Sequence, residues 1–233
     1  MQIVKEIKAV AFDIDGTLYP NRRFFIAILP FILKNFRLMN AFRIVRHELR
    51  KLAEDTLIED FYQKQAELMI KHTGIPDDAN YIKAEIANKI YKGWAPLFQK
   101  IKPYKNVFET IQCLKQSGLK IALLSDFPIE QKGDVWGILP LCDCSLSSEE
   151  TGALKPSPVP FKALAEKLEL PAENILYVGN SVEYDVTGAA NYGMKTAYIC
   201  SKFKRAFTSK NKYSDFRFSS YKELEKILLK ERA

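Results

Sequence analysis

The stretch Ala9-Val10-Ala11-Phe12-Asp13-Ile14-Asp15-Gly16-Thr17-Leu18 constrains this chain most. Its apolar run reads as a buried strand, and the run ends in two carboxylates, a glycine and a hydroxyl. Charge at the end of a buried strand is costly unless it is paired or holds a cation. Asp13 and Asp15 stand two apart, so an extended backbone sends both side chains to the same side. Crowded carboxylates repel, which raises a pKa or recruits a positive charge. That serves chemistry better than packing. The purely structural alternative is a strand that closes in an Asx-type turn.

Beyond Leu18-Tyr19-Pro20-Asn21 the pattern becomes helical. Leu38, Phe42, Val45, Leu49 and Leu52 recur at spacings of four and three and define one apolar helix face. Arg43, Arg46 and Arg50 share a flank of the same helix. The helical pattern continues through Phe61 and Leu68 and stops at Gly74-Ile75-Pro76, a capping glycine with a breaker beyond it. A further helix, Asp77 to Lys92, ends at Gly93-Trp94-Ala95-Pro96.

From Lys102 onward helices and strands alternate. Helices are expected at Val107 to Gln116, near Ile129 to Ile138, and at Pro158 to Leu168, Asp185 to Asn191 and Tyr221 to Leu229. Strands are expected at Lys120 to Asp126, near Cys142 to Ser147, and at Asn174 to Val178, Lys195 to Cys200 and Phe216 to Phe218. Such alternation argues a parallel sheet covered by helices on both faces. Ligands then sit beyond the carboxyl ends of the strands, where Asp13, Asp15, Ser125 and Gly179-Asn180 fall.

A chain of 233 residues can bury a substantial core. The longest apolar run, Phe24 to Leu33, is too short to span a bilayer, and no secretory leader is apparent at the start. Cys113, Cys142, Cys144 and Cys200 match no zinc spacing, so a reduced, cytoplasmic chain is expected. His47 and His72 belong to no motif and read as surface residues. The formal net charge is +7, and residues 21–51 alone carry it, with eight basic residues against the single acid Glu48. In order of expectation, this segment is a solvated helix face, an attractor of anionic substrate, or a contact for an anionic membrane surface. No nucleic-acid-binding module is evident.

Four signatures in order resemble those of the haloacid dehalogenase-like (HAD) hydrolases, most of which are phosphatases. They are Asp13-Ile14-Asp15-Gly16-Thr17, Ser125 closing a hydrophobic strand, Lys155-Pro156, and Gly179-Asn180-Ser181-Val182-Glu183-Tyr184-Asp185. The resemblance implies an α/β fold, a Rossmann-like parallel-sheet core of residues 1–20 and 101–233, interrupted by an all-helical cap of residues 21–100. It also implies a hydrolase that cleaves a small phosphorylated metabolite. Asp13 is then the nucleophile, Asp15 the general acid and base, and Ser125 and Lys155 donors to the phosphoryl oxygens, with Gly16, Thr17 and Asp126 beside them. Mg2+ is the implied cofactor, held by Asp13, the Asp15 carbonyl, Asn180 and Asp185.

One departure stands out. Asn180 occupies the place of the usual first aspartate of the last signature, and an amide oxygen ligates magnesium without charge. The family's dehalogenases also carry an asparagine near this position, but they usually lack a counterpart of Asp15. Three alternatives stay open: a 2-haloacid dehalogenase, a phosphomutase on the same core, or a catalytically weakened binding or regulatory protein. Taken singly, Ser125, Lys155 and Asp185 also read as a turn residue, a solvated loop residue and a helix cap.

Overall fold

The computed structural model describes residues 2–55, 58–74, 78–207 and 211–230. Six strands form one sheet in the order β3-β2-β1-β4-β5-β6, with every neighbouring pair parallel. They are β1 (Ala9–Phe12), β2 (Lys120–Ser125), β3 (Cys144–Ser147), β4 (Ile175–Gly179), β5 (Lys195–Ile199) and β6 (Phe216–Phe218). A short helix, α1 (Gln2–Glu6), precedes β1. The long insertion between β1 and β2 carries α2 (Asn21–Lys34), α3 (Phe36–Asp55), α4 (Phe61–Thr73) and α5 (Ala79–Glu85). From α5 the chain runs through a π-helical segment, Ile86–Lys92, into α6 (Gly93–Phe98). No strand lies among the described residues of the insertion. The remaining helices are α7 (Val107–Gln116), α8 (Pro158–Leu168), α9 (Gly188–Tyr192), α10 (Lys202–Phe207) and α11 (Tyr221–Leu229).

The sheet buries both faces, which is why its strands read as continuous apolar runs. Successive side chains of β1 alternate between two cores. Val10 and Phe12 pack with Ile111 and Leu114 of α7 and Tyr221 and Leu224 of α11. Ala9 and Ala11 pack with Phe161 and Leu164 of α8 and Ala189 of α9. β1 lies between β2 and β4, so its carboxyl end is surrounded by the two neighbouring strand ends. The Asp13 N–H still bonds the Val178 carbonyl, at 2.9 Å. The chain then turns, with the Thr17 and Leu18 N–H groups bonding Ile14. Asp15 therefore leaves from a turn and not from the extended backbone expected for it.

Several helix boundaries differ from the sequence reading. The pattern expected to run from Leu38 past Phe61 is broken, because Asp60 caps a new helix by accepting the Gln63 N–H at 2.8 Å. Gly74 does cap α4 in the left-handed conformation, φ 64°. Ile75, Pro76 and Asp77 lie outside the described residues. On α3, Phe42, Val45 and Leu49 are buried as expected, whereas Leu52 is exposed. The helix expected near Ile129 to Ile138 is a single 3-10 turn, Ile129–Lys132. Val135 and Trp136 beyond it have positive φ, which a continuing helix does not tolerate. The short helices α1 and α10 were not expected.

Two arginines of α3 fasten the insertion to the sheet. Arg46, 5% exposed, pairs with the buried Glu149 and donates to the Asp126 carbonyl at 2.9 Å. Arg50 pairs with the Asp126 carboxylate at 2.8 Å and donates to the Lys155 carbonyl at 3.0 Å. A solvated face, expected first for the basic segment, is thus wrong for these two residues and right for Arg22 and Arg37, which are exposed. His72 is partly buried and pairs with Glu48. No single described helix is long and apolar enough to cross a membrane. Asn21–Lys34 and Phe36–Leu52 pass that test only as a pair bent by 118°.

A buried charge left without its partner costs far more than the pair is worth. Arg46→Ala is expected to lower unfolding free energy by about 3–5 kcal/mol in urea titrations. The double variant Arg46→Met, Glu149→Leu should recover most of it. A loss under about 1 kcal/mol for the single variant would contradict the fastening role.

Candidate active site

The segments beyond β1, β3 and β4 bring three of the expected residues, Asp13, Lys155 and Asp185, to one point. Lys155 lies between two acids, its Nζ donating to Asp13 Oδ1 at 2.8 Å and to Asp185 Oδ1 at 2.7 Å. The Tyr177 hydroxyl accepts from the same Nζ at 3.1 Å. Asp13, Lys155 and Asp185 are 4%, 2% and 2% exposed, so water screens none of these charges well. Burial and then the Asp185 charge push the Asp13 carboxyl up to about 7, although Lys155 opposes both. Burial alone would weaken the Lys155 ammonium, but Asp13 and Asp185 outweigh it and hold the proton firmly. A buried acid with a raised pKa beside a paired ammonium is an arrangement that functional sites often show.

Asp185 owes its position to the local fold. Ser181 caps the helical turn by accepting the Tyr184 N–H at 3.1 Å. Asp185 then reaches back, and its Oδ2 accepts the N–H groups of Asn180 and Ser181 at 3.1 and 2.9 Å. Gly179 permits that approach, since a Cβ there would lie 2.2 Å from the Asp185 side chain. Asp185 is therefore both a local backbone partner and the second acid on Lys155.

Asp15 is held by a separate set. Its Oδ1 accepts from the Tyr19 hydroxyl at 2.6 Å. Its Oδ2 lies 3.3 Å from both the Ser125 hydroxyl and the Lys132 ammonium. Ser125 is buried and also accepts the Phe127 N–H, which fixes its hydroxyl toward Asp15. Lys132 is enclosed between the rings of Phe98 and Phe127. Tyr19, Lys132 and Tyr177 carry no motif in the sequence. Tyr19 four residues beyond Asp15 is the one local cue that a search could have used.

Thr17 is fully buried, and its hydroxyl lies 2.7 Å from Asp13 Oδ2 and 3.3 Å from Asn180 Oδ1. Its hydroxyl donates to the Asp13 carboxylate, beside the position where a phosphate contact is expected for it. Gly16, φ 89°, lies under Asn180, and a Cβ there would fall 2.3 Å from the amide nitrogen. Asp126, also expected near phosphate, is engaged by Arg50 and by the Lys155 N–H. Burial raises its carboxyl, but Lys155, Arg50 and Arg46 outweigh burial and hold it at about 2. It anchors α3.

Among the described residues no cluster of three or more His, Cys, Asp and Glu side chains is arranged to hold a metal ion. The oxygen set of Asp13 and Asn180 nevertheless suits a hard cation, since both carry an oxygen beside the same Thr17 hydroxyl. The excess negative charge that lifts Asp13 favours a cation too. Asp13 and Asp185 each have both carboxylate oxygens engaged, Asp13 by Lys155 and Thr17 and Asp185 by Lys155 and two backbone N–H groups. Above the acids opens a cavity of about 800 Å3, bounded by α2, α3 and α6.

A doubly wound sheet with acids and a lysine gathered beyond its central strand puts the candidate site where ligands of such sheets sit. Residues 7–193 match the family model of haloacid dehalogenase-like hydrolases, and the chain belongs to that family. It is 30% identical to the glyceraldehyde 3-phosphate phosphatase of Methanocaldococcus jannaschii, over 95% of this chain and 97% of that one. It is 25% identical to the phosphoglycolate phosphatase of Aquifex aeolicus, over 95% and 97%. Among solved structures, the HAD phosphatase from Thermococcus onnurineus superposes with a TM-score of 0.61 at 23% identity, covering 95% of this chain and 98% of that one. L-2-haloacid dehalogenase from Xanthobacter autotrophicus superposes with a TM-score of 0.65 at 20% identity, covering 97% and 100%. At these identities the structural likeness speaks to the fold.

Because the folded state resists ionising Asp13, Asp13→Asn removes a charge that opposes folding. The variant is expected to lose turnover while its melting temperature stays at or above that of the wild type. Retained turnover would remove Asp13 from the chemistry.

Proposed function

We propose that the chain is a magnesium-dependent phosphomonoesterase acting on a small phosphorylated metabolite through an aspartyl-phosphate. The observation that carries this reading is a pair of acids held in different ways. Asp13 is buried against Lys155, and Asp15 is fixed beside it by Tyr19, Ser125 and Lys132. The phosphatase relatives support it.

In this reading Asp13 attacks phosphorus, the bond to the leaving oxygen breaks, and Asp15 gives that oxygen its proton. Asp15 then takes a proton from water as the water attacks phosphorus, which releases inorganic phosphate and restores Asp13. Lys155 offsets charge on the phosphoryl oxygens and keeps Asp13 oriented. Magnesium, when bound by Asp13, Asn180 and the Asp15 carbonyl, with Asp185 holding it directly or through water, would reduce repulsion between nucleophile and phosphate. Residues 1–20 and 101–233 serve as the catalytic core, and residues 21–100 as a cap that keeps bulk water out.

A halide leaves without a proton, so haloacid displacement gives Asp15 and its three partners no task. That favours phosphate over halide. A phosphomutase uses the same two acids and differs in the acceptor of the phosphoryl group. Asn180 is the feature that favours a weakened binding or regulatory protein. The free state of all four cysteines suits a reducing cytoplasm, where we place the chain.

Phosphate release from a panel of phosphorylated metabolites, with and without magnesium, tests the reading. Release confined to the magnesium arm is expected, and release indifferent to magnesium would contradict it. Asn180→Asp adds a charged ligand and should tighten magnesium binding by roughly an order of magnitude in calorimetry. Unchanged affinity would exclude Asn180 from the metal site.

A further inference from the structure

The cavity above the acids is charged at its floor and mostly apolar on its walls, which Asn21, Asn40, Gln131 and three arginines, Arg43, Arg46 and Arg50, interrupt. Asp13, Asp15 and Lys155 form the floor. The walls come from Phe24, Ile28 and Ile32 of α2, Phe42 of α3, and Trp94 and Phe98 of α6. Most of the polar side chains that border these walls already have partners. Gln131 donates to the Ile90 carbonyl at 3.0 Å, and Arg46 and Arg50 are tied to Glu149 and Asp126. Arg43 lies against Asn40 at 3.1 Å.

A phosphate on a few polar carbons would fill a small part of about 800 Å3. It would also leave aromatic walls facing water, which forgoes the main favourable term in binding. The mouth continues the same character. Phe25 and Phe36 line the cavity yet are 59% and 66% exposed. Ile26, Leu29 and Leu33 extend that apolar stripe along the outside of α2. A helix apolar all round is normally buried against something. Here one side faces the cavity and the other faces outward.

We infer that the cavity takes the hydrocarbon body of an amphiphilic phosphomonoester, a phosphate carried on a long or branched apolar alcohol, with its chain leaving past Phe25 and Phe36. This rests on the phosphomonoesterase reading and narrows its substrate. The charged floor holds the phosphate, and the walls select by burying hydrocarbon.

The test uses the full chain with n-alkyl phosphates from ethyl to decyl, kept below their aggregation limits, and the matching non-hydrolysable alkylphosphonates. Phosphate release gives kcat/KM, and calorimetry with the phosphonates gives affinity independently of turnover. Both are expected to rise by about two- to fourfold per added methylene until the cavity is full. Phe25→Ser and Phe36→Ser, at exposed positions that put the fold at little risk, should each reduce the decyl-to-ethyl ratio. Presenting decyl phosphate in phosphatidylglycerol vesicles separates the sources: a larger gain there assigns a bilayer, an equal one a dissolved ligand. Affinity or kcat/KM that is flat or falls with chain length overturns the inference while leaving hydrolysis standing. Phosphonate affinity that climbs with chain length while no phosphate is released keeps the hydrocarbon site and overturns the hydrolytic reading.

Discussion

The buried contact of Lys155 with Asp13 and Asp185 is the interaction on which the rest depends. Two acids and one ammonium, all nearly out of water, leave one negative charge in excess. Burying such a group is costly, and the fold compensates by surrounding it with partners. Backbone N–H groups of Asn180 and Ser181 take one side of Asp185, Thr17 takes one oxygen of Asp13, and Tyr177 takes the remaining reach of Lys155. Tyr177, Asn180 and Ser181 come from β4 and the turn after it, and Thr17 from the turn after β1. The parallel sheet is therefore the device that gathers them, because it aligns the carboxyl ends of β1 and β4.

A second tier of charge ties the insertion to this centre. Arg50 reaches from α3 to Asp126 and to the Lys155 carbonyl, so the helix that roofs the cavity touches the backbone of the residue whose ammonium pairs with Asp13. Arg46 adds a buried pair with Glu149 and lies 4.2 Å from the centre of the Phe127 ring. The roof and the floor of the cavity are thus mechanically linked through few residues.

Much of this was legible in the sequence, for reasons that are local. The β1 run, the alternation of later elements and the glycine cap at Gly74 follow from patterns of a few residues. Asp13, Asp15 and Ser125 could be singled out because they sit at predicted strand ends, and Lys155 because it belongs to the Lys155-Pro156 signature. What could not be read depends on distant pairing. Arg46 and Glu149 are 103 positions apart, and nothing near either residue distinguishes a buried ion pair from a solvated charge. Lys132 likewise lies in a stretch expected to be helical, which Gly133 ends at φ 60° before Val135 and Trp136 continue with positive φ. The partners of Thr17 and Asp126 could not be read for the same reason: Asn180 and Arg50 lie far from them along the chain.

The central claim is that Asp13 carries the phosphoryl group during turnover. Acid quenching during steady-state turnover, followed by digestion and mass spectrometry, tests it most directly. The account predicts a phosphoryl mass increment on the peptide containing Asp13, absent from enzyme quenched without substrate. Vigorous phosphate release with that peptide unmodified, or with the increment on another residue, would contradict it.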